Sequence, residues 1–325
     1  LSSRGGEPAP DAQGEPTERP RSPTARDRLE YLGFRAGIGL FRSLPRRLAL
    51  RAGVVIGELF FRLDAGNRRT ALTNLAIAFP EKSQQERLRI LRASCHNLGR
   101  LAAEICHLSH LTRENLSRWV TFRDEGAWRA ALADGEAHGG LILSGHFGNW
   151  EMLAYVHGLL GHPVSLVHRP MRNPLVDEAI HALRAGAGTR ALPKRAAARN
   201  VLRTLGNKGI VVIPIDQNQS GHLGVFVDFF GLPACTTTGL ARLAQRSGAP
   251  VYPAFLVRQR DGERHVIELL PRVEWIDTGD RARDLVANTQ RYTAIFEDML
   301  RRHPEQWIWF HKRWRTRPPG EAQFY

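Results

Sequence analysis

The sequence predicts an α/β fold: a mixed, mostly parallel central sheet flanked by helices, preceded by an N-terminal helical segment. Three observations predict it. Residues 141–160 read as an apolar strand, Leu141-Ile142-Leu143, then a tight turn from Ser144-Gly145, then an apolar helix from about Asn149. Residues 210–215, IVVIPI, form a second buried strand that ends abruptly in Asp216-Gln217-Asn218, and polar residues at the C-terminal end of such a strand stand where open α/β sheets bind ligands. Residues 251–259 and 265–270 flank Asp261-Gly262, a hairpin signal, so at least one strand is antiparallel.

Composition sets outer limits. The chain of 325 residues, 42% hydrophobic, is long enough for one large core or two small ones. Its 46 Lys plus Arg against 32 Asp plus Glu leave +14, a charge that attracts polyanions: nucleic acid, an anionic membrane or a phosphorylated substrate. Cys95, Cys106 and Cys235 have neither metal nor redox spacing and read as reduced thiols facing a cytosol. No uncharged run suffices for a bilayer-spanning helix; the longest candidate, residues 152–168, is broken by Pro163 and by glycines.

Along the chain, residues 1–28 are rich in Gly, Pro, Ser and charge and read as a disordered tail. Residues 29–65 form an apolar segment interrupted by Arg42, Arg46, Arg47 and Arg51, divided near Pro45. Its helices either lie in a membrane interface or pack as core. Residues 66–319 make the main domain and 320–325 a short tail. Ser83 and Glu86 have capping-box spacing at the start of a long amphipathic helix. Residues 163–168 read as a strand, 174–184 as a helix, 196–205 as a helix, and 281–302 as another. The stretch 226–235 reads as a loop, followed by a helix from about Thr236 to a C-cap at Gly248. Within that loop Phe226, Phe229 and Phe230 either line an apolar channel or belong to the core. GAGTRA at 186–191 fits a loose dinucleotide pattern but follows a helix, so it is set aside. In the last stretch, Trp307, Trp309, Phe310 and Trp314 interleave with Lys312, Arg313, Arg315 and Arg317, which suits a lipid headgroup interface or a single-stranded nucleic acid.

The chemistry concentrates at His146 and Glu151. Five positions apart on one helix, two side chains point about 140° from each other. They meet only if His146 precedes the helix and Glu151 sits in its first turn. Glu151 then holds one imidazole nitrogen protonated and leaves the other to take a proton from a hydroxyl. No HExxH pattern or Cys/His cluster of zinc spacing accompanies them, so no metal is expected, nor any cofactor. A GxSxG elbow is also absent, and none of the three cysteines has an evident base partner, so a covalent nucleophile is disfavoured.

HFGNWE at 146–151 resembles the H-x4-D/E signature of the late acyltransferases of lipid A biosynthesis, the lauroyl and myristoyl type, within the lysophospholipid acyltransferase superfamily. The likeness continues through RRTALTNLAIAFPE, HRPMRNP, IPIDQN and the PEQWIWFHKRW stretch, in order over residues 66–319. Asn218 departs from it, standing where members often carry a second acid. No FPEGTR-like block is present, which argues against the glycerolphosphate acyltransferase branch, although the resemblance implies that branch's general fold. It further implies transfer of a fatty acyl chain from an acyl carrier protein thioester, or acyl-CoA, to a hydroxyl of a phosphorylated glycolipid at the cytoplasmic face of the bacterial inner membrane, with residues 29–65 as membrane-associating helices. His146 and Glu151 are then catalytic, with Asn149, Arg169, Asp216, Gln217 and Asn218 the expected substrate contacts. Another acceptor (a different glycolipid, an aminolipid or a lysophospholipid) is the alternative, and a nucleic-acid binder with an inert motif a further one. Nucleic acid is not an expected partner.

Overall fold

The computed structural model describes residues 22–168, 171–193, 197–220 and 224–325. Residues 1–21 of the expected tail, and Arg169, lie outside the described residues. The first helix, α1 (Ala25–Ser43), begins inside the stretch expected to be tail. Its start is a capping box: Thr24 Oγ1 accepts from the Asp27 N–H at 3.2 Å and Asp27 accepts from the Thr24 N–H at 2.8 Å. Low apolar content had hidden that local signal.

Pro45 separates α1 from α2 (Arg46–Leu63) as expected, and α3 (Ala65–Ala78) leads to α4 (Gln84–His107), which starts with the foreseen Ser83–Glu86 capping box. Helices α2 and α4 touch backbone to backbone. A Cβ placed on Gly99 of α4 would fall 1.9 Å from the Gly53 carbonyl oxygen, and one on Gly57 would fall 2.2 Å from the Cys95 carbonyl oxygen. Only glycine permits that approach.

The sheet contains β1 (Val120–Phe122), β2 (Gly140–Ser144), β3 (Val164–His168), β4 (Arg190–Pro193), β5 (Ile210–Pro214), β8 (Val251–Arg258) and β9 (His265–Leu269), in the order β1-β9-β8-β2-β5-β3-β4. Every pair in it is parallel except β8 with β9, the hairpin closed at Asp261-Gly262. The expected mixed, mostly parallel sheet is therefore present. Strand β4 begins within the stretch set aside as a false nucleotide loop, where Gly188 (φ +80°) turns the chain into it.

Helices α5 (Glu125–His138), α6 (Trp150–Leu159), α7 (Pro174–Ala185), α8 (Ala197–Gly206), α9 (Gly239–Ser247) and α10 (Arg281–Arg302) complete the described helices. Alternation along β2 separates two cores. Leu141 and Leu143 face a large one shared with α3, α4, α8, α9 and α10, while Ile142 faces a second built with α5 and α6.

Two further expectations fail. Residues 226–235 are not a loop but the greater part of a hairpin, β6 (Gly224–Phe229) with β7 (Leu232–Thr237). Its two-residue turn places Phe230 at φ +55° and Gly231 at φ +78°, and a phenylalanine at the first position disguises the usual Asn-Gly signal. The C-terminal tryptophans are neither a lipid nor a nucleic-acid surface: Trp307, Trp309 and Trp314 are at most 1% exposed, among the largest fully buried side chains described. The bases interleaved with them mislead, because Arg313 is itself buried, donating to the Cys235 carbonyl and stacking 4.9 Å from the Phe229 ring.

Gly99→Val should push α2 off α4 and destabilise the fold by about 3 kcal/mol, the upper range for overpacking. Limited proteolysis should then cut between residues 44 and 65; an unchanged cleavage pattern and melting temperature would refute the close packing.

Candidate active site

The site lies where β2 and β5 end side by side, with Ser144 opposite Pro214. After β2 the chain must reverse within Gly145–Asn149 to enter α6, and two glycines make the turn possible. A Cβ on Gly145 would sit 2.5 Å from the Phe296 ring and 3.1 Å from the Asp216 Cβ, so glycine lets the backbone close on Asp216. Gly148 holds φ +58° with a carbonyl oxygen only 1.9 Å from where its Cβ would be. Phe147, 1% exposed, pins the turn against Phe255.

In that turn His146 meets a carboxylate, and the carboxylate is Asp216. Nδ1 of His146 stands 3.1 Å from Asp216 Oδ1 and 3.2 Å from Oδ2, while the His146 backbone N–H donates to Oδ2 at 3.2 Å. The indole N–H of Trp307 donates to the same oxygen at 2.9 Å. Glu151 sits in the first turn of α6 as expected but makes no hydrogen bond to His146. Its two oxygens bind the Arg184 guanidinium at 2.8 and 2.6 Å. The expected orienting bond is corrected for a geometric reason: the turn brings the imidazole back over the end of β5, and the helix carries Glu151 toward α7.

The electrostatics follow. Burial of Asp216 opposes its charge, but His146 and the hydrogen bonds from His146 and Trp307 outweigh it and hold the carboxyl down to about 2. Burial likewise opposes charge on His146, yet Asp216, with a smaller contribution from Glu151, raises its pKa above the ordinary 6.5. Asp216 on Nδ1 leaves Nε2 as the nitrogen available to a substrate.

The other expected contacts separate. Asn149 has no exposed surface; it caps α6 by accepting from the Met152 N–H and donates to Glu104 at 2.8 Å, so it shapes the turn. Asn218 binds the C-terminal segment through Thr316 at 3.0 and 3.1 Å, and its own N–H donates to His311 at 2.7 Å. Gln217 is exposed beside Asp216. Among residues the sequence did not single out are Trp150, whose ring meets the His146 ring edge-on at 5.2 Å, and Arg184. Only the position of Arg184 across from Glu151 reveals it.

Next to the imidazole a narrow apolar cavity of about 50 Å³ runs between α6 and the sheet, walled by Trp150, Leu153, Leu166 and Val212. That is small beside the ~300–1,000 Å³ of typical ligand pockets. A long chain bound there must part its walls.

A histidine held by a buried carboxylate at a strand-to-helix turn, at the C-terminal edge of a mostly parallel sheet, places the chain in the class of α/β enzymes. The family model described as bacterial lipid A biosynthesis acyltransferase matches residues 20–316, and the chain belongs to that family of O-acyltransferases. It is 28% identical to a lipid A biosynthesis acyltransferase of Haemophilus influenzae, over 89% of this chain and 92% of that one. It is 27% identical to the lipid A biosynthesis lauroyltransferase of Escherichia coli, over 95% and 100%, and 24% identical to the myristoyltransferase of the same organism, over 91% and 89%.

The His146 proton should titrate above 6.5 by NMR, and Asp216→Asn should lower that value because burial then meets less opposition. A raised folded-state pKa stabilises the fold fully below 6.5, and that contribution disappears as pH rises through the folded value. For Asp216 the sign reverses: its contribution is present above the ordinary 3.8 and is lost as pH falls toward about 2. A His146 value unmoved in Asp216→Asn would refute the pairing.

Proposed function

We propose that this chain moves a fatty acyl group from an acyl carrier protein thioester to a hydroxyl of a phosphorylated lipid A precursor, with His146 as general base and Asp216 as the residue that orients it. The single observation that carries this is the His146–Asp216 hydrogen bond at the mouth of an apolar cavity. Asp216 keeps the proton on Nδ1. Nε2 takes the hydroxyl proton as the acceptor oxygen attacks the thioester carbonyl, and returns it to the departing thiolate; such proton transfer contributes about 10²–10⁴ in rate. Glu151 acts at one remove, fixing Arg184 and adding negative potential near the imidazole.

Direct attack is favoured by the state of the alternatives. Cys95, Cys106 and Cys235 are buried, and burial raises each thiol, Cys95 to about 12, so none supplies a thiolate near neutral pH. Ser144 is buried, its hydroxyl donated to the Ala254 carbonyl at 3.0 Å.

We further propose that α1 and α2 rest on the cytoplasmic face of the inner membrane. No described helix is long and apolar enough to cross a bilayer. Yet eight of the twelve exposed large apolar side chains among the described residues fall between Leu29 and Leu63, including Leu29 at 72% and Leu63 at 79%. Arginines flank them, as an anionic interface favours. The net charge of +14 suits an acidic carrier protein and a phosphorylated acceptor alike.

The test supplies acyl carrier thioesters with a phosphorylated disaccharide lipid and reads acylated product by mass spectrometry. His146→Ala and Asp216→Asn should each lower turnover by about 10²–10⁴. In Asp216→Asn the two fixed donors at Oδ2, the His146 N–H and the Trp307 indole, hold the amide oxygen there and turn its NH₂ toward Nδ1. The proton then moves to Nε2, and the base is lost. Glu151→Gln should cost less than Asp216→Asn; the reverse ranking would return the orienting role to Glu151. Replacing Val55, Ile56 and Leu59 together with serine should release the protein from anionic vesicles, and unchanged flotation would place the membrane contact elsewhere.

A further inference from the structure

Helix α6 turns Trp150, Leu153, Ala154 and His157 toward the cavity at positions i, i+3, i+4 and i+7. The cavity therefore runs from His146 back along the helix for about 10 Å. At its far end stands His157, 2% exposed, with neither ring nitrogen in a hydrogen bond. Burial, with His162 nearby, holds this imidazole neutral, its pKa down at about 4. Beyond it lies a second, smaller cavity of about 20 Å³ beneath α5, lined by Trp128, Leu132 and Leu269. His157 and Ile142 line both spaces, so they form the partition between them. Trp128, whose ring centre lies 5.7 Å from that of His157, also has an unpartnered buried N–H. Two unpaired polar groups in an otherwise apolar layer weaken the fold, and an aliphatic residue would fill the same place without that loss. Packing alone does not explain the choice of histidine.

We propose that His157 is the stop that sets acyl-chain length: the donor's hydrocarbon enters past His146, lies along α6, and ends with its terminal methyl against the imidazole. The proposal rests on the acyl-transfer reading of the His146 site and assigns the depth of that site to one residue. A hydrocarbon chain gains by each methylene it buries until it meets something that does not yield. Along its length the cavity is flanked by the aliphatic side chains of Leu153, Leu166 and Val212, whereas His157 is a planar ring backed by the Trp128 indole. One carbon too many forces the ring into Trp128, and one too few leaves apolar space unfilled beside a polar group. A hydrophobic slot of this kind discriminates about 10–200-fold per methylene.

The experiment uses the full chain in detergent or membranes with a competing series of saturated acyl carrier thioesters of increasing length, and reads the products by mass spectrometry. His157→Ala joins the two cavities, and should raise the ratio of longer to wild-type-length product at least about tenfold, the low end of that discrimination. Ala154→Leu, one turn nearer His146, should move the preference toward shorter chains and decides the matter if His157→Ala does not fold. A length profile unchanged by a folded variant overturns the stop while leaving acyl transfer intact. Absence of any acylated product from the unaltered chain overturns acyl transfer, and the stop with it.

Discussion

An ionised carboxylate with 2% exposure survives only where donors surround it, and the buried charge of Asp216 organises everything near the site. Its donors are the His146 N–H, the His146 ring and the Trp307 indole. They arrive from the turn after β2 and from the C-terminal segment, while Asp216 itself follows β5. Three distant parts of the chain are thereby locked to one another. The tail after α10 is consequently as much a part of the site as the turn. Trp307 touches Asp216, Asn74 of α3 grips the Trp309 and His311 carbonyls at 2.7 Å each, and Asn218 ties down Thr316. Each bond is ordinary alone; together they prevent water from reaching the carboxylate and weakening its hold on the imidazole.

What was legible in the sequence follows from range. Signals spanning a few residues read true: the Ser83–Glu86 capping box, the Gly248 C-cap, the Asp261-Gly262 hairpin, and the strand, turn and helix around His146. They report interactions that close within one turn of chain. The partner of His146 did not read true, although Asp216 stands among the expected substrate contacts, because a hydrogen bond 70 positions apart depends on which strands become neighbours. Spacing within HFGNWE favoured Glu151 since that was the only acid within reach along the chain. The tryptophans misled for a related reason. Interleaving with arginine is a surface pattern by composition, but Arg313 is buried under the hairpin and its neighbours take their places from it. The hairpin itself stayed hidden because Phe230 occupies a left-handed position that local rules give to Asn or Gly.

On the other flank of the turn Glu104 does for the scaffold what Asp216 does for the His146 imidazole. It is fully buried and takes two bonds from Arg258, at 2.9 and 2.7 Å, one from Asn149 at 2.8 Å and one from Arg46 at 3.2 Å. Burial opposes its ionisation, and its neighbours, His265 together with the Arg258 and Arg46 guanidiniums, more than compensate, holding it down to about 2. Removing one side of such a buried pair typically destabilises by about 3–5 kcal/mol. The position of those partners matters more than the sum. Arg46 begins α2, the helix with the exposed apolar face, and Asn149 caps α6, the helix that roofs the cavity. One carboxylate therefore joins the first turns of both.

That short connection, with the glycine contact between α2 and α4, fixes the height of the cavity mouth above the face that α1 and α2 present. A flexible linker would let the two drift by many ångströms. For an acceptor held in a bilayer by its own hydrocarbon, the reactive hydroxyl sits at a set depth, and a base at variable height would meet it only part of the time. On the proposed membrane contact, rigid docking of α2 converts binding to the surface into alignment of His146 with the hydroxyl. Alignment of that kind is where much of an enzyme's advantage over free solution originates. The glycines at 53, 57 and 99 thus belong with His146, since on that proposed contact the closeness they permit makes the distance from lipid surface to imidazole a constant of the fold.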